Sequence, residues 1–280
     1  MEKLLLFLLP LFAWTSSIAQ NPPEDHPESV CPVGESFYYS NTTAGHIHVI
    51  HPDAAPVVFA ADVGKVLGLA AAGNTLYAAV NKADGGHILG FQLPNSTVSL
   101  DLHIPEAKQL NDVALDSKGV IYVTDRVGDK VYAVDPKAGT SRVLVEEAIK
   151  TPNGIWVDES LNRLLICNTI DECSIYSYDL ESGILQELLP TGKPHLDGLA
   201  MDRSGNIYVT SWSGNWKSSQ LIRYSPIFKE WVMQENENGM ADLYLYPNGE
   251  QIALANWYLN QISRVDWSSG KVVETKLVKP

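Results

Sequence analysis

Cysteine is scarce in this sequence: three in 280 residues, with no Cys-x-x-Cys pair and no Cys/His cluster at zinc spacing. Neither a zinc site nor a multi-bridge scaffold is indicated. No glycine-rich phosphate loop and no Gly-x-Ser-x-Gly elbow occurs, which removes the P-loop nucleotide enzymes and the hydrolases built on that serine. Positive charge is short as well. Twenty Lys and Arg stand against 33 Asp and Glu, for a net charge of -13. That balance argues against nucleic acid or an anionic membrane as a partner and otherwise serves solubility. Apolar residues spaced by three and four, the mark of amphipathic helices, are missing throughout.

One long apolar run is present, at residues 4–14. It follows Lys3 and precedes the small residues Ser16, Ser17 and Ala19. This is the pattern of a secretory signal peptide over residues 1–20, too short to span a bilayer. No cysteine stands at the cleavage point to carry a lipid anchor. The expectation is an exported, extracytoplasmic protein, periplasmic or secreted, without a membrane span. In such a compartment Cys167 and Cys173, flanking the turn at 168–172, could bridge if they face each other across a hairpin. Cys31 is left as a small buried hydrophobe. Asn41-Thr42-Thr43 and Asn95-Ser96-Thr97 are glycosylation sequons, relevant only in a eukaryotic secretory pathway.

What the chain does contain is repetition. Pro152-Asn153-Gly154-Ile155 runs into Arg163-Leu164-Leu165-Ile166. Leu196-Asp197-Gly198-Leu199 and Leu110-Asn111-Asp112-Val113 begin the same phrase on either side. Equivalent positions fall at Glu28, Leu67, Asn111, Asn153, Asp197 and Ala241, with steps of 39, 44, 42, 44 and 44 residues. Each unit supplies four short β-rich runs separated by Gly, Asp, Asn or Pro. The spacing predicts an all-β, six-bladed propeller over residues 21–280, four antiparallel strands to a blade and each blade complete in itself.

In a propeller the first strand of every blade lines the central channel, so these anchors converge at one mouth. Glu28, Asn111, Asn153 and Asp197 are polar there, and Asp242 stands one step out of phase. A single Asn or Asp opening a strand is explained by local turn bonds. Four polar anchors at one phase, including a Glu with no turn preference, point instead to a bound cation, since clustered acids and amides in a channel are costly alone. An all-oxygen donor set fits calcium, or magnesium, and does not fit zinc.

These motifs (Glu28, Asn111-Asp112, Pro152-Asn153-Gly154 and Leu196-Asp197-Gly198) resemble the senescence-marker-protein/gluconolactonase family, also called regucalcin-like, across roughly residues 27–277. The resemblance implies a six-bladed propeller with one divalent metal, usually calcium, held by Glu28, Asn153 and Asp197. Asn111 lies near metal and substrate, and Asp197 is the base that activates water. Two positions depart from the pattern. Glu28 is followed by Ser29-Val30-Cys31 rather than Gly-Pro and a Trp. Gln109 stands where the sugar-lactone hydrolases usually carry Arg.

The implied chemistry is metal-assisted hydrolysis of a lactone or related ester. Gln109, Asn111, Asp242, His195 and Trp212 are candidate substrate contacts, His195 as a second acid or base. Trp212 and Trp216 lie in a long connection that forms either an aromatic wall or blade packing. His46, His48 and His51 read as surface residues away from the channel. The contrasting reading is a non-catalytic propeller that binds a small molecule, glycan or protein through the same face. No feature demands an oligomer, and a monomer is expected.

Overall fold

A computed structural model describes residues 26–216, 218–246 and 250–278. The signal peptide expected over residues 1–20 lies outside the described residues. Among them there are 24 strands and no helix, so no helix is long and apolar enough to cross a membrane. The strands form six four-stranded antiparallel sheets at 27–60, 65–104, 110–146, 152–193, 196–236 and 240–277, each in simple chain order. The all-β six-bladed propeller is thus the fold. Among the described residues no strand is shared between the first and last blades.

The inner strands are Pro27–Val33, Lys65–Ala72, Leu110–Leu115, Pro152–Asp158, Leu196–Met201 and Met240–Leu245. Their apolar residues interdigitate with those of the next blade, so the core is a chain of clusters lying between blades. Burying each such side chain stabilises the ring by ~1.5–3 kcal/mol. Tyr39, Tyr132 and Tyr208 are the largest fully buried side chains.

One irregularity recurs in all six blades. Between the inner strand and its neighbour, two residues oppose one: Glu28 and Ser29, Leu67 and Gly68, Asn111 and Asp112, Asn153 and Gly154, Asp197 and Gly198, Ala241 and Asp242. This β-bulge breaks the alternation of side chains. In four of the six blades the residue opposite the bulge bonds a backbone group there through its side chain; in blades two and six it is Ala79 or Ala255. Ser40 Oγ, Thr124 Oγ1 and Thr210 Oγ1 accept the N–H groups of Ser29, Asp112 and Gly198 at 2.9, 3.0 and 2.8 Å. In blade four the position is Cys167, whose thiol donates to the Asp197 carbonyl.

The second bulge residue is glycine in three blades because the next blade's backbone passes directly over it. A Cβ on Gly68 would lie 2.7 Å from Asp112 Cα, and one on Gly198 2.9 Å from Asp242 Cα. At Gly154 it would collide with the Asp197 carbonyl and lie 2.9 Å from Leu199 Cβ.

The ring closes between blades six and one through side chains. Ser29 Oγ donates to Asp242 Oδ2 at 2.6 Å, His26 stacks on Trp257 at 4.7 Å, and Tyr39 donates to the Val278 carbonyl at 3.1 Å.

The expected facing of Cys167 and Cys173 is corrected. The register sets Cys167 opposite Ile175, and Cys173 falls beyond the paired segment. All three cysteines are free and buried. Cys31 packs in a core cluster, and burial pushes its thiol up to about 12. The blade-one histidines divide: His51 is exposed, His46 is half-buried, and His48 is half-buried against Tyr39, ring centroids 5.1 Å apart.

Gly154→Ala is expected to destabilise the protein by ~1–3 kcal/mol through overpacking against the Asp197 backbone. Gly214→Ala, where a Cβ meets nothing within 4 Å, changes stability by less than ~0.5 kcal/mol. Urea unfolding of the two variants checks both.

Candidate active site

The bulges aim Glu28, Asn111, Asn153 and Asp197 into one cavity of about 310 Å³ at a channel mouth, with Leu67 completing its floor. The walls follow from a second regularity. In five blades the residue leaving the second strand donates its backbone N–H to the carbonyl two positions before the anchor. Thr42 is tied to His26, Arg126 to Gln109, Thr169 to Thr151, Trp212 to His195 and Trp257 to Gly239. Those five exit residues all line the cavity, joined by Lys65, Gln109, Trp216 and Tyr258.

The floor is tightly organised. Asn153 Nδ2 donates to Thr169 Oγ1 at 2.8 Å, and Thr169 Oγ1 donates in turn to the Leu196 carbonyl at 2.7 Å. With the nitrogen fixed outward, Asn153 Oδ1 faces inward, where it accepts from Asn111 Nδ2. Trp212 Nε1 donates to Asp197 Oδ2 at 2.9 Å. The Glu28 carboxylate, half-buried, accepts no hydrogen bond from the described residues. Burial, then the charge of Asp197, pushes it up to about 8, while Arg126 and Lys65 pull the other way. Burial also raises Asp197, against the Trp212 hydrogen bond, the charge of Arg126 and the Asn153 amide.

A second tier lies directly below. Asp112 and Asp242, the second bulge residues of blades three and six, line a narrow space beneath the floor with Ser29 and Gly68. Both are fully supplied with donors. Asp112 accepts from Ile155 N and Val113 N at 2.8 and 2.7 Å, and Asp242 from Ser29 Oγ and Leu243 N at 2.6 and 2.7 Å. Burial raises Asp112 to about 7 and Asp242 well above the usual carboxylate range. Asp242 is therefore in the channel, one layer under the candidate substrate contacts, and it binds the closing blade.

The other candidates divide. Gln109 and Trp212 line the cavity, and Trp212, 6% exposed, does so while packed against Tyr258. His195 does not line it. Its ring lies behind Trp216, stacked at 4.1 Å, with Nδ1 buried and unbonded. Arg126, Lys65, Trp257 and Tyr258 were not singled out from the sequence. The exit residues follow their anchors by 14 to 16 positions, an offset too loose to read as a repeat.

Two features elsewhere are larger or denser. A groove of about 700 Å³ runs along Trp156, Leu161, Arg203 and Phe228 without any of the floor residues. Asp84, His87 and His103 bring ligand-type atoms within 4.8 Å of one another at the rim of blade two. There both His87 nitrogens already face carboxylates, Asp101 at 2.7 Å and Asp84 at 3.2 Å, and His103 Nε2 meets the Asp84 carbonyl.

Six bulged inner strands with an acid–amide floor define a propeller with a polar cavity at its channel mouth. The chain belongs to the SMP-30/gluconolactonase/LRE-like family, whose profile matches residues 27–234. Among solved structures it is similar to a gluconolactonase from Xanthomonas campestris (TM-score 0.68, 12% identity, 84% of each chain covered). It is similar also to streptogramin B lyase (TM-score 0.68, 16% identity, 92% of this chain and 85% of that chain). A nidogen/laminin complex gives a TM-score of 0.72 at 16% identity over 84% of this chain and 90% of that chain. At such identities these three share the fold alone. No curated protein sequence matches the chain.

In chelator the protein is expected to lose stability as pH rises. Unfolded Glu28 releases its proton near 4.5, whereas the folded group holds it to about 8, so each pH step between these values favours unfolding. The melting temperature should fall across that window, roughly 5 °C for every ~2 kcal/mol. Glu28→Gln should flatten the slope, as differential scanning calorimetry would register.

Proposed function

We propose that the chain is an exported, divalent-cation-dependent hydrolase of a lactone or related ester, with calcium as the cation. The observation that carries this is the Glu28 carboxylate, half-buried, without a hydrogen-bond partner among the described residues, and facing Asp197 across the cavity floor. Two repelling carboxyls and a fixed amide oxygen are an unfavourable arrangement for a scaffold and a good one for a hard cation. Glu28, Asn153 and Asp197 would hold it, all through oxygen. Family membership supports the lactonase class. The apolar run at residues 4–14 supports export.

When bound, the cation would supply Lewis-acid polarisation of the substrate carbonyl. Asp197, oriented by the Trp212 N–H, takes a proton from water as its oxygen adds to the carbonyl carbon. The ring C–O bond then breaks, and that proton passes to the departing alkoxide, giving the hydroxy acid. Asn111 fixes the orientation of the Asn153 amide. Trp216 and Tyr258, 41% and 47% exposed, offer apolar surface for the substrate body. The same surface would also serve a propeller that binds a small molecule without turnover.

Calcium titration of chelator-stripped protein by calorimetry separates the readings. The hydrolase reading expects one site that Asp197→Asn and Glu28→Gln abolish, and a fall in lactone kcat of ~10³ or more in Asp197→Asn. A wild-type protein that binds no calcium, magnesium or manganese would sink it and leave the binding propeller.

A further inference from the structure

Arg126 is a cavity residue to which the proposed hydrolysis assigns no contact with substrate. It leaves the second strand of blade three with its backbone held by the Gln109 carbonyl, and its Nε is buried with no hydrogen-bond partner. Arg223 and Arg264 share an unbonded buried Nε, but Arg126 is the one of the three that borders the cavity, where a ligand can supply a partner. The adjacent Asp125 is not that partner. Its carboxylate accepts the N–H groups of Lys108, Gln109 and Gly128 at 2.9, 2.7 and 2.9 Å. Among the described residues no carboxylate lies within ion-pair distance of Arg126. Its charge reaches Glu28 and Asp197 only through space.

Lys65 stands on the same side, at the start of blade two, and also acts on Glu28. A divalent cation on the floor would balance Glu28 and Asp197 and leave Arg126 and Lys65 uncompensated. The two acids of the lower tier cannot serve them, since each is bound by its own donors. Across the ring the chemistry reverses. Blades five and six, diametrically opposite blades two and three, present Trp212, Trp216, Trp257 and Tyr258 to the same cavity. One wall is cationic, the other aromatic, and the acidic floor lies between.

We infer that this cavity takes an amphipathic carboxylate. An apolar ring face lies on the tryptophan wall, the carboxylate is held by Arg126 with Lys65 beside it, and the carbonyl to be hydrolysed lies over the floor. The inference rests on the hydrolase reading for the carbonyl and on the cavity alone for the carboxylate. Arg126 borders the cavity, and a guanidinium can bind a carboxylate in two parallel hydrogen bonds, which an ammonium cannot imitate. A volume of about 310 Å³ admits a small bicyclic ligand.

The test compares an aryl γ-lactone carrying a ring carboxylate with its carboxamide, in calcium. Wild type should favour the carboxylate by roughly 30-fold in kcat/KM, the span of a charge-assisted bond. Arg126→Met should erase that preference, read as the carboxylate-to-carboxamide ratio so that any change common to both substrates cancels, and Arg126→Glu should invert it. Among the described residues the Arg126 guanidinium makes no hydrogen bond, so a melting temperature at or above that of wild type verifies the fold of Arg126→Met. Equal rates on the two lactones in wild type, or equal losses on both in Arg126→Met, would overturn the inference and leave hydrolysis standing. If neither lactone is cleaved, the hydrolase reading fails instead. Calorimetry with the cyclic ether bearing the same carboxylate then decides the anion site. Binding lost in Arg126→Met sustains it, and no binding by wild type overturns it.

Discussion

The β-bulge at the head of each inner strand is the constraint on which the rest of the molecule depends. A regular strand sends successive side chains to opposite faces, so only one residue of each pair would reach the channel. Placing two residues opposite one turns both inward, and sixfold repetition builds two stacked tiers from consecutive positions. Ser40, Thr124 and Thr210 rescue the backbone N–H groups that the irregularity would strand. Gly68, Gly154 and Gly198 let neighbouring blades close over it. Site, packing and hydrogen-bond accounting therefore meet in the same twelve residues.

The two tiers handle the burial of acid in opposite ways. Asp112 and Asp242 each receive two donors and act as cross-links between blades, Asp112 to Ile155 and Asp242 to Ser29. Glu28 receives none, and Asp197 receives the Trp212 N–H. A buried polar group that is fully bonded contributes to a unique structure, whereas one left short of partners is a position held ready for something else. Two acids per tier, a few ångströms of depth apart, thus divide between architecture and chemistry.

The sequence carried the fold and the floor because both depend on a period, and a period survives variation in residue type. Glu28, Asn111, Asn153 and Asp197 share a phase, and the phase alone places them together. Three things were not legible. Strand alternation puts Asp242 out of register, and only the bulge, invisible in residue identity, brings it into the channel. The exit residues Thr42, Arg126, Thr169, Trp212 and Trp257 recur at offsets that drift by up to two positions and share no chemistry, so they do not look like a repeat. The pairing of Cys167 with Ile175 is set by the length of the turn at 168–172, which the strand pattern leaves free. His195 was drawn toward the site by its nearness in sequence to Asp197, and one Trp ring intervenes.

The closure between blades six and one has a wider consequence. Many rings are fastened by a strand borrowed from the far end of the chain; this one is fastened by Ser29 against Asp242, His26 against Trp257 and Tyr39 against Val278. Glu28 stands on one side of that seam, and Asn153 and Asp197 belong to blades reached from the other. A ligand gripping all three would act as a rivet beside a seam already packed by Val30, Tyr39, Ala253 and Ile262. Its binding energy and the cohesion of the hoop would be a single linked quantity. Filling the cavity and holding the ring shut would then be one event seen from two directions.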